Sequence, residues 1–261
     1  PVGDAIVGHL FPEGEDGRIP IVGISGSLHT TQIARLTAWL MQLAGHQVGL
    51  ACRDGLFVGQ RQLEKQNAAH WEPGQRLLIN RNVEAAVFEN CPMSLLTEGL
   101  AYDRCQVGIV TDSLPVPGLD EQLMTEPEHR FKILRTQIDV VVASGTGVLN
   151  ATDPTVLDMA RLCDGDVVLY AADGQHQAIA AHREAGGRAV FLRGETLVQA
   201  DGHRSFDLID LATLPATVRT LPTDVLLAAV GAAVSMSLSA ETITTGLNTF
   251  VPAGAEHYVT A

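Results

Sequence analysis

The chain has 261 residues, ample for one large α/β domain or two small ones, so its stability requires neither a metal nor a disulfide. Hydrophobic residues make up 46% and aromatics only 5%, which implies an aliphatic core. A net charge of -13 excludes duplex nucleic acid and anionic membranes as partners, since both require clustered Lys and Arg.

Residues 1–18, rich in Pro, Gly and Glu after a short apolar turn, read as a connector from an upstream domain. The start at Pro1, with no basic or apolar leader, leads us to expect a piece of a longer polypeptide. A domain is expected over 19–250. It opens with the apolar run IPIVGIS, the turn GSLHTT and an amphipathic helix over Gln32–Leu43, whose Ile33, Leu36, Leu40 and Leu43 share one face. Buried strands are predicted at QVGLAC, VEAAVFE, QVGIVTD, GVLN, DVVLYAA and RAVFLR. Helices are predicted near Glu121–Val140, Thr155–Leu162 and Gln177–Ala185. Exposed hairpins are expected at Leu56–Leu63 and Leu197–Phe206.

Two helices close the domain, Thr223–Leu238 and Ala240–Phe250, with Ser239 as N-cap of the second. The apolar run Val225–Leu238 is shorter than the roughly 20 residues that span a bilayer. Its Ala and Gly content suits a helix packed closely on a sheet. The alternation predicts an α/β fold, a mostly parallel sheet flanked by helices, with small hairpin appendages. Cys52, Cys91, Cys105 and Cys163 are scattered without a CxxC pair, as in a reduced cytoplasmic protein with no metal site. The other histidines lack metal-ligand spacing, and no GxSxG or HExxH run is present. The acidic run Asp120–Glu128 reads as a solvated loop.

The turn between first strand and first helix is where such a domain can present N–H groups to a phosphate. A working phosphate loop needs glycines for close backbone approach, a Lys for the outer phosphates and a hydroxyl for magnesium. Here Gly26-Ser27-Leu28-His29-Thr30-Thr31 offers one glycine and only the hydroxyls.

The segment GRIPIVGISGSLHTTQIARL resembles the entry strand and loop of Mur ligases, whose core is Gly-Thr-Asn-Gly-Lys-Thr. GHQVGLACRDGLFVGQRQLE, EAAVFE, EGLAYDRCQVGIVTD, GVLNATDP and AIAAHREAGGRAVFLR follow in the order found in the Mur-like part of cyanophycin synthetases. The resemblance implies a P-loop-NTPase-like Mur ligase central domain. It aligns Gly26 and Ser27 with the first two loop positions, His29 with the second glycine, Thr30 with the lysine and Thr31 with the magnesium hydroxyl. Glu89 then matches a magnesium-binding glutamate, Lys132 a helix lysine near the metals, and Asn150 and Asp153 a run near the nucleotide. Cys91-Pro92-Met93-Ser94 replaces an expected Ala-Arg-Gly-Gly, and Asp112 stands where Asn is expected, with no Asp-His pair after it.

Each matched residue also has a plain structural reading: Glu89 satisfied by neighbouring N–H groups, Lys132 on a solvated face with Arg130 and Arg135, Asn150 and Asp153 capping the helix that Pro154 begins. The resemblance implies a degenerate, non-catalytic domain that scaffolds an ATP-dependent ligase polymerising β-aspartyl-arginine. No cofactor is expected in this domain; ATP and Mg belong to the parent enzyme. Expected partners are upstream ATP-grasp and N-terminal domains, further copies in a homo-oligomer, and the cyanophycin polymer. The third Mur ligase domain is expected to be absent, leaving residues 251–261 as a tail. Two alternatives stand beside this reading: an active isopeptide ligase domain adding Arg to a poly-aspartate backbone, and a nucleotide or metabolite sensor.

Overall fold

Every residue of IVGIS is buried in strand β1 (Ile21–Ser25), because the strand lies at the middle of a sheet covered on both faces. The computed structural model describes residues 18–116, 118–119 and 126–253. Eleven strands form one sheet among these residues, in the order β11-β10-β9-β8-β7-β6-β1-β5-β2-β3-β4. They are β2 (Val48–Cys52), β3 (Gly55–Val58), β4 (Arg61–Glu64), β5 (Ala85–Asn90), β6 (Cys105–Val110), β7 (Val141–Asn150), β8 (Asp166–Asp173), β9 (Arg188–Arg193), β10 (Thr196–Asp201) and β11 (Arg204–Asp210). From β2 through β9 across β5, β1, β6, β7 and β8 the pairing is parallel, and the two hairpin ends are antiparallel. The mostly parallel α/β architecture is therefore as the alternation predicts. The hairpins extend the sheet at its two edges, and β10 is largely buried rather than exposed, because Leu197, Val198 and Ala200 join the two cores.

Helix α1 (Thr30–Leu43) packs on one face beside α9 (Thr223–Ser235) and α10 (Ala240–Thr249). The Ala/Gly run of α9 is buried throughout Val225–Val234, and Gly231 lets its backbone approach β7: a Cβ there would stand 2.8 Å from Val148. Ser239 caps α10 by accepting from the Thr242 N–H at 3.1 Å. On the same face Trp39 donates to the Gly246 carbonyl at 3.2 Å.

Besides the one-turn helix Ala216–Arg219, two helices are not foreseen, α2 (Trp71–Leu78) and α3 (Pro92–Thr97). Pro73 sits in the first turn of α2 and Pro92 at the start of α3, where the missing N–H costs nothing. The helix expected over Glu121–Val140 is instead α4 (Pro127–Leu134) followed by α5 (Thr136–Asp139), and β7 begins at Val141, ahead of the GVLN run. The helix expected over Thr155–Leu162 is one turn, α6 (Pro154–Leu157), continued as a 3₁₀ helix to Leu162; α7 (Gln177–Glu184) and the short α8 (Ala216–Arg219) complete the set. The connector apart from Arg18, most of the acidic run and the tail from residue 254 lie outside the described residues. Among the described residues no helix is long and apolar enough to cross a membrane.

Candidate functional site

The parallel strands end on one edge, and β1 is the point where chain connections diverge, to β5 and β2 on one side and to β6, β7 and β8 on the other. Open α/β sheets bind ligands outside the carboxyl ends of strands at such a switch point. Gly26, Glu89, Asp112 and Asn150 all follow or close these strands there.

Gly26 leaves β1 at φ 139°, and a Cβ on it would collide with the Thr111 hydroxyl, so the loop backbone presses against the end of β6. His29 lies in the left-handed region at φ 58°, ψ 11°, and α1 starts at Thr30 without a side-chain cap. Glycine takes that conformation freely, while a residue with a Cβ does so at a cost of about 1 kcal/mol. The backbone thus keeps the turn of a glycine loop, with an imidazole added to it.

Asp112, only 7% exposed, points back into this turn. Its Oδ2 accepts from the N–H of Ser27 at 3.0 Å, the N–H of Leu28 at 2.9 Å and the Thr111 hydroxyl at 2.7 Å. Its Oδ1 accepts from the Ser27 hydroxyl at 2.5 Å and the Leu114 N–H at 3.2 Å. Beside it, a cavity of about 10 Å³, bounded by Gly26, Ser27, Pro92, Arg130 and Leu134, has room for a single water. Arg130 donates to the Ser113 carbonyl at 2.9 Å and so closes this side.

Glu89 ends β5 with its side chain fully buried. It accepts from the Thr30 hydroxyl at 2.7 Å, from the Thr31 hydroxyl at 2.9 Å and from the Arg53 N–H at 2.8 Å. The Arg53 guanidinium, 41% exposed, lies 3.4 Å from the same carboxylate. Asp153 caps α6 through the N–H groups of Thr155 and Val156 and also receives the N–H and hydroxyl of Ser113. Asn150 donates to the Thr111 carbonyl at 2.9 Å and accepts from Thr152, a local turn rather than a cap. These two residues tie the segment after β6 to the end of β7.

Seven of the nine matched residues therefore converge, and each of Ser27, Thr30, Thr31, Glu89, Asn150 and Asp153 is engaged with protein groups. His29 is exposed at the rim; burial raises the Asp224 carboxyl above its usual range, and nearby His29 opposes only part of that rise. Lys132 projects from α4 as an exposed side chain and does not join the cluster. The buried Tyr170 hydroxyl has no partner among the described residues, and burial together with Asp224, Asp112 and Asp153 holds it well above the usual phenol range. Among the described residues no group of three or more His, Cys, Asp or Glu is placed to hold a metal ion. Two residues escape the sequence reading, Arg53 and the role of Asp112. The available signal for Asp112 was a carboxylate directly after a buried strand, where an amide was expected.

No family model matches the chain. It is 30% identical over 246 residues to the cyanophycin synthetase of Crocosphaera subtropica, covering 92% of this chain. It is 29% identical over 248 residues to that of Synechocystis sp. and 28% over 254 residues to that of Geminocystis herdmanii. In each case the chain spans only 28% of the relative's length. Among solved structures it resembles a UDP-N-acetylmuramoyl-L-alanyl-D-glutamate–2,6-diaminopimelate ligase, with a TM-score of 0.66, 13% identity and coverage of 90% of this chain and 47% of that one. It also resembles E. coli FolC solved with DHPP and ADP, with a TM-score of 0.64, 14% identity and coverage of 96% and 60%. The chain therefore has the Mur ligase fold and is similar in sequence, over nearly its whole length, to a segment of cyanophycin synthetases.

Proposed function

We propose that this chain is a supporting domain of a larger ATP-dependent ligase, one that keeps the Mur ligase fold without holding nucleotide or catalysing a step itself. The observation that carries this reading is the state of Glu89. A magnesium ion binds oxygen ligands at about 2.0–2.1 Å in near-octahedral geometry and usually keeps several waters. The Glu89 carboxylate is instead wrapped by two threonine hydroxyls, a backbone N–H and the Arg53 guanidinium, which already supplies its positive charge.

The rest of the edge agrees with that. Thr30 stands where the loop lysine is expected and turns its hydroxyl to Glu89. Without a lysine, a bound phosphate forgoes charge-assisted bonds of about 1.5–3 kcal/mol each. Small-molecule pockets of about 300–1,000 Å³ are the rule, whereas the space beside the loop is about 10 Å³. The residues present do not fit a magnesium nucleotide.

In this reading the parent is a cytoplasmic homo-oligomeric cyanophycin-synthetase-type enzyme whose ATP-grasp site polymerises β-aspartyl-arginine dipeptides. The present domain positions that site, contributes to the oligomer or holds the polymer. The test is to incubate the parent with primer, ATP and either the dipeptide or free Asp plus Arg. Polymer growth from the dipeptide alone is expected. Growth from the free amino acids would overturn the proposal.

A further inference from the structure

We infer that Asp112 is a built-in occupant of the loop's anion position, and that this carboxylate itself, in addition to the missing lysine, keeps oxyanions such as pyrophosphate out of the loop. The inference rests on the reading of the loop as closed to nucleotide and names the group that closes it. A charge removed from water is costly unless it is hydrogen-bonded, and Asp112, almost fully buried, collects five donors. Three of these are backbone N–H groups, of Ser27, Leu28 and Leu114, and two are hydroxyls. The three from Ser27 and Leu28 belong to the loop, where a phosphate oxygen would otherwise be their acceptor. An external anion must displace a carboxylate tethered one residue beyond Thr111, whose effective concentration is millimolar or higher. It must also approach the carboxylate of Asp153, which holds the N–H and hydroxyl of Ser113 beside Asp112.

If the carboxylate is removed, the Ser27 and Leu28 N–H groups lose their acceptor while the Gly26 turn that aims them remains. Asp112→Ser empties the position. Asp112→Asn keeps the size, but its NH₂ cannot accept from Leu114 N–H or Ser27 N–H, so one side of the cradle is left without an acceptor.

The experiment follows thermal unfolding of the full chain and of both variants against sodium pyrophosphate, with sodium chloride at matched ionic strength as control. The wild type is expected to gain no more from pyrophosphate than from chloride. Asp112→Ser is expected to show saturable protection with an apparent affinity at least about tenfold above any wild-type response, and Asp112→Asn a smaller gain. A variant unfolded in buffer is expected to recover its native circular dichroism in pyrophosphate. Two results overturn the inference: protection of the wild type equal to that of the variants, or variants that neither gain stability nor recover structure in pyrophosphate. Binding of Mg–ATP by the wild type would sink the supporting-domain reading as well. Inert variants beside an inert wild type would sink only the role of Asp112.

Discussion

Replacing Glu89 by Gln separates a structural carboxylate from a metal ligand. In the folded chain the carboxylate is fully buried and receives two threonine hydroxyls, the Arg53 N–H and the Arg53 guanidinium. Glutamine keeps one acceptor oxygen and brings an NH₂ group. The amide can turn its oxygen to the Arg53 N–H, and the hydroxyls must then accept from the NH₂ group, which also faces the Arg53 guanidinium donor. Bonds to a charged acceptor contribute about 1.5–3 kcal/mol and neutral ones about 0.5–1.5, so two or three weakened bonds amount to about 2–3 kcal/mol after the relief of desolvation. The Arg53 side chain is 41% exposed, so its ion pair adds little to this sum. For a domain of this size the loss lowers the melting temperature by about 5–10 °C. The assay is thermal and urea unfolding of wild type and variant, each with and without magnesium. A carboxylate kept for a metal behaves in the opposite way: its neutralisation stabilises the metal-free protein, and magnesium protects only the wild type. A melting temperature unchanged or raised in the variant, or magnesium protection of the wild type alone, would refute the reasoning.

His29→Gly should raise stability by about 0.5–1 kcal/mol, measured by urea denaturation, because it removes the Cβ from a left-handed position. Gly108→Ala should lower stability by about 1–3 kcal/mol, because its Cβ would stand 2.7 Å from the Gln137 carbonyl and 2.8 Å from Val141 between β6 and α5. The thiols of Cys52 and Cys105 are both pushed up to about 12 by burial, so iodoacetamide at mildly alkaline pH should label half-buried Cys91 and spare these two until the chain unfolds, as peptide mass mapping would show. The same shift fixes a sign: the native state keeps protons that the unfolded state releases from about pH 9. Stability is therefore full below that value and falls up to about pH 12, by as much as about 1.4 kcal/mol per pH unit for each thiol, as urea melts across that range would measure. The triple change Leu28→Asn, His29→Gly, Thr30→Lys in the parent should restore no ligation by this domain, read as continued failure to use free Asp plus Arg, since Asp112, Arg53 and the Cys91-Pro92-Met93-Ser94 segment that opens α3 remain.

The sheet was legible because buried parallel strands are continuous aliphatic runs, and IVGIS, AAVFE and CQVGIV announce themselves. The helix at Trp71–Leu78 was not, because Pro73 and Gly74 inside it are read locally as breakers, while tertiary packing of Leu77 decides its conformation. The early start of β7 was hidden for a related reason: VVASG carries no strand alternation, and it is the pairing of Val141 with Cys105 of β6 that ties this stretch to the sheet. At the site, the loop, Glu89, Asn150 and Asp153 could be found from their places after strands. Lys132 could not be judged, because helical phase alone does not say which way α4 faces. The Ser27 and Leu28 partners of Asp112 and all the partners of Glu89 come from segments 36 to 85 residues away, and no local pattern encodes them.

A calorimetric titration of the full chain with ATP in saturating magnesium tests the central claim most directly. The closed loop predicts no saturable binding up to about millimolar ATP, because the Glu89, Asp112 and Asp153 carboxylates and the Ser27, Thr30 and Thr31 hydroxyls at the switch point already have protein partners. One-to-one binding with a dissociation constant well below millimolar would contradict the account.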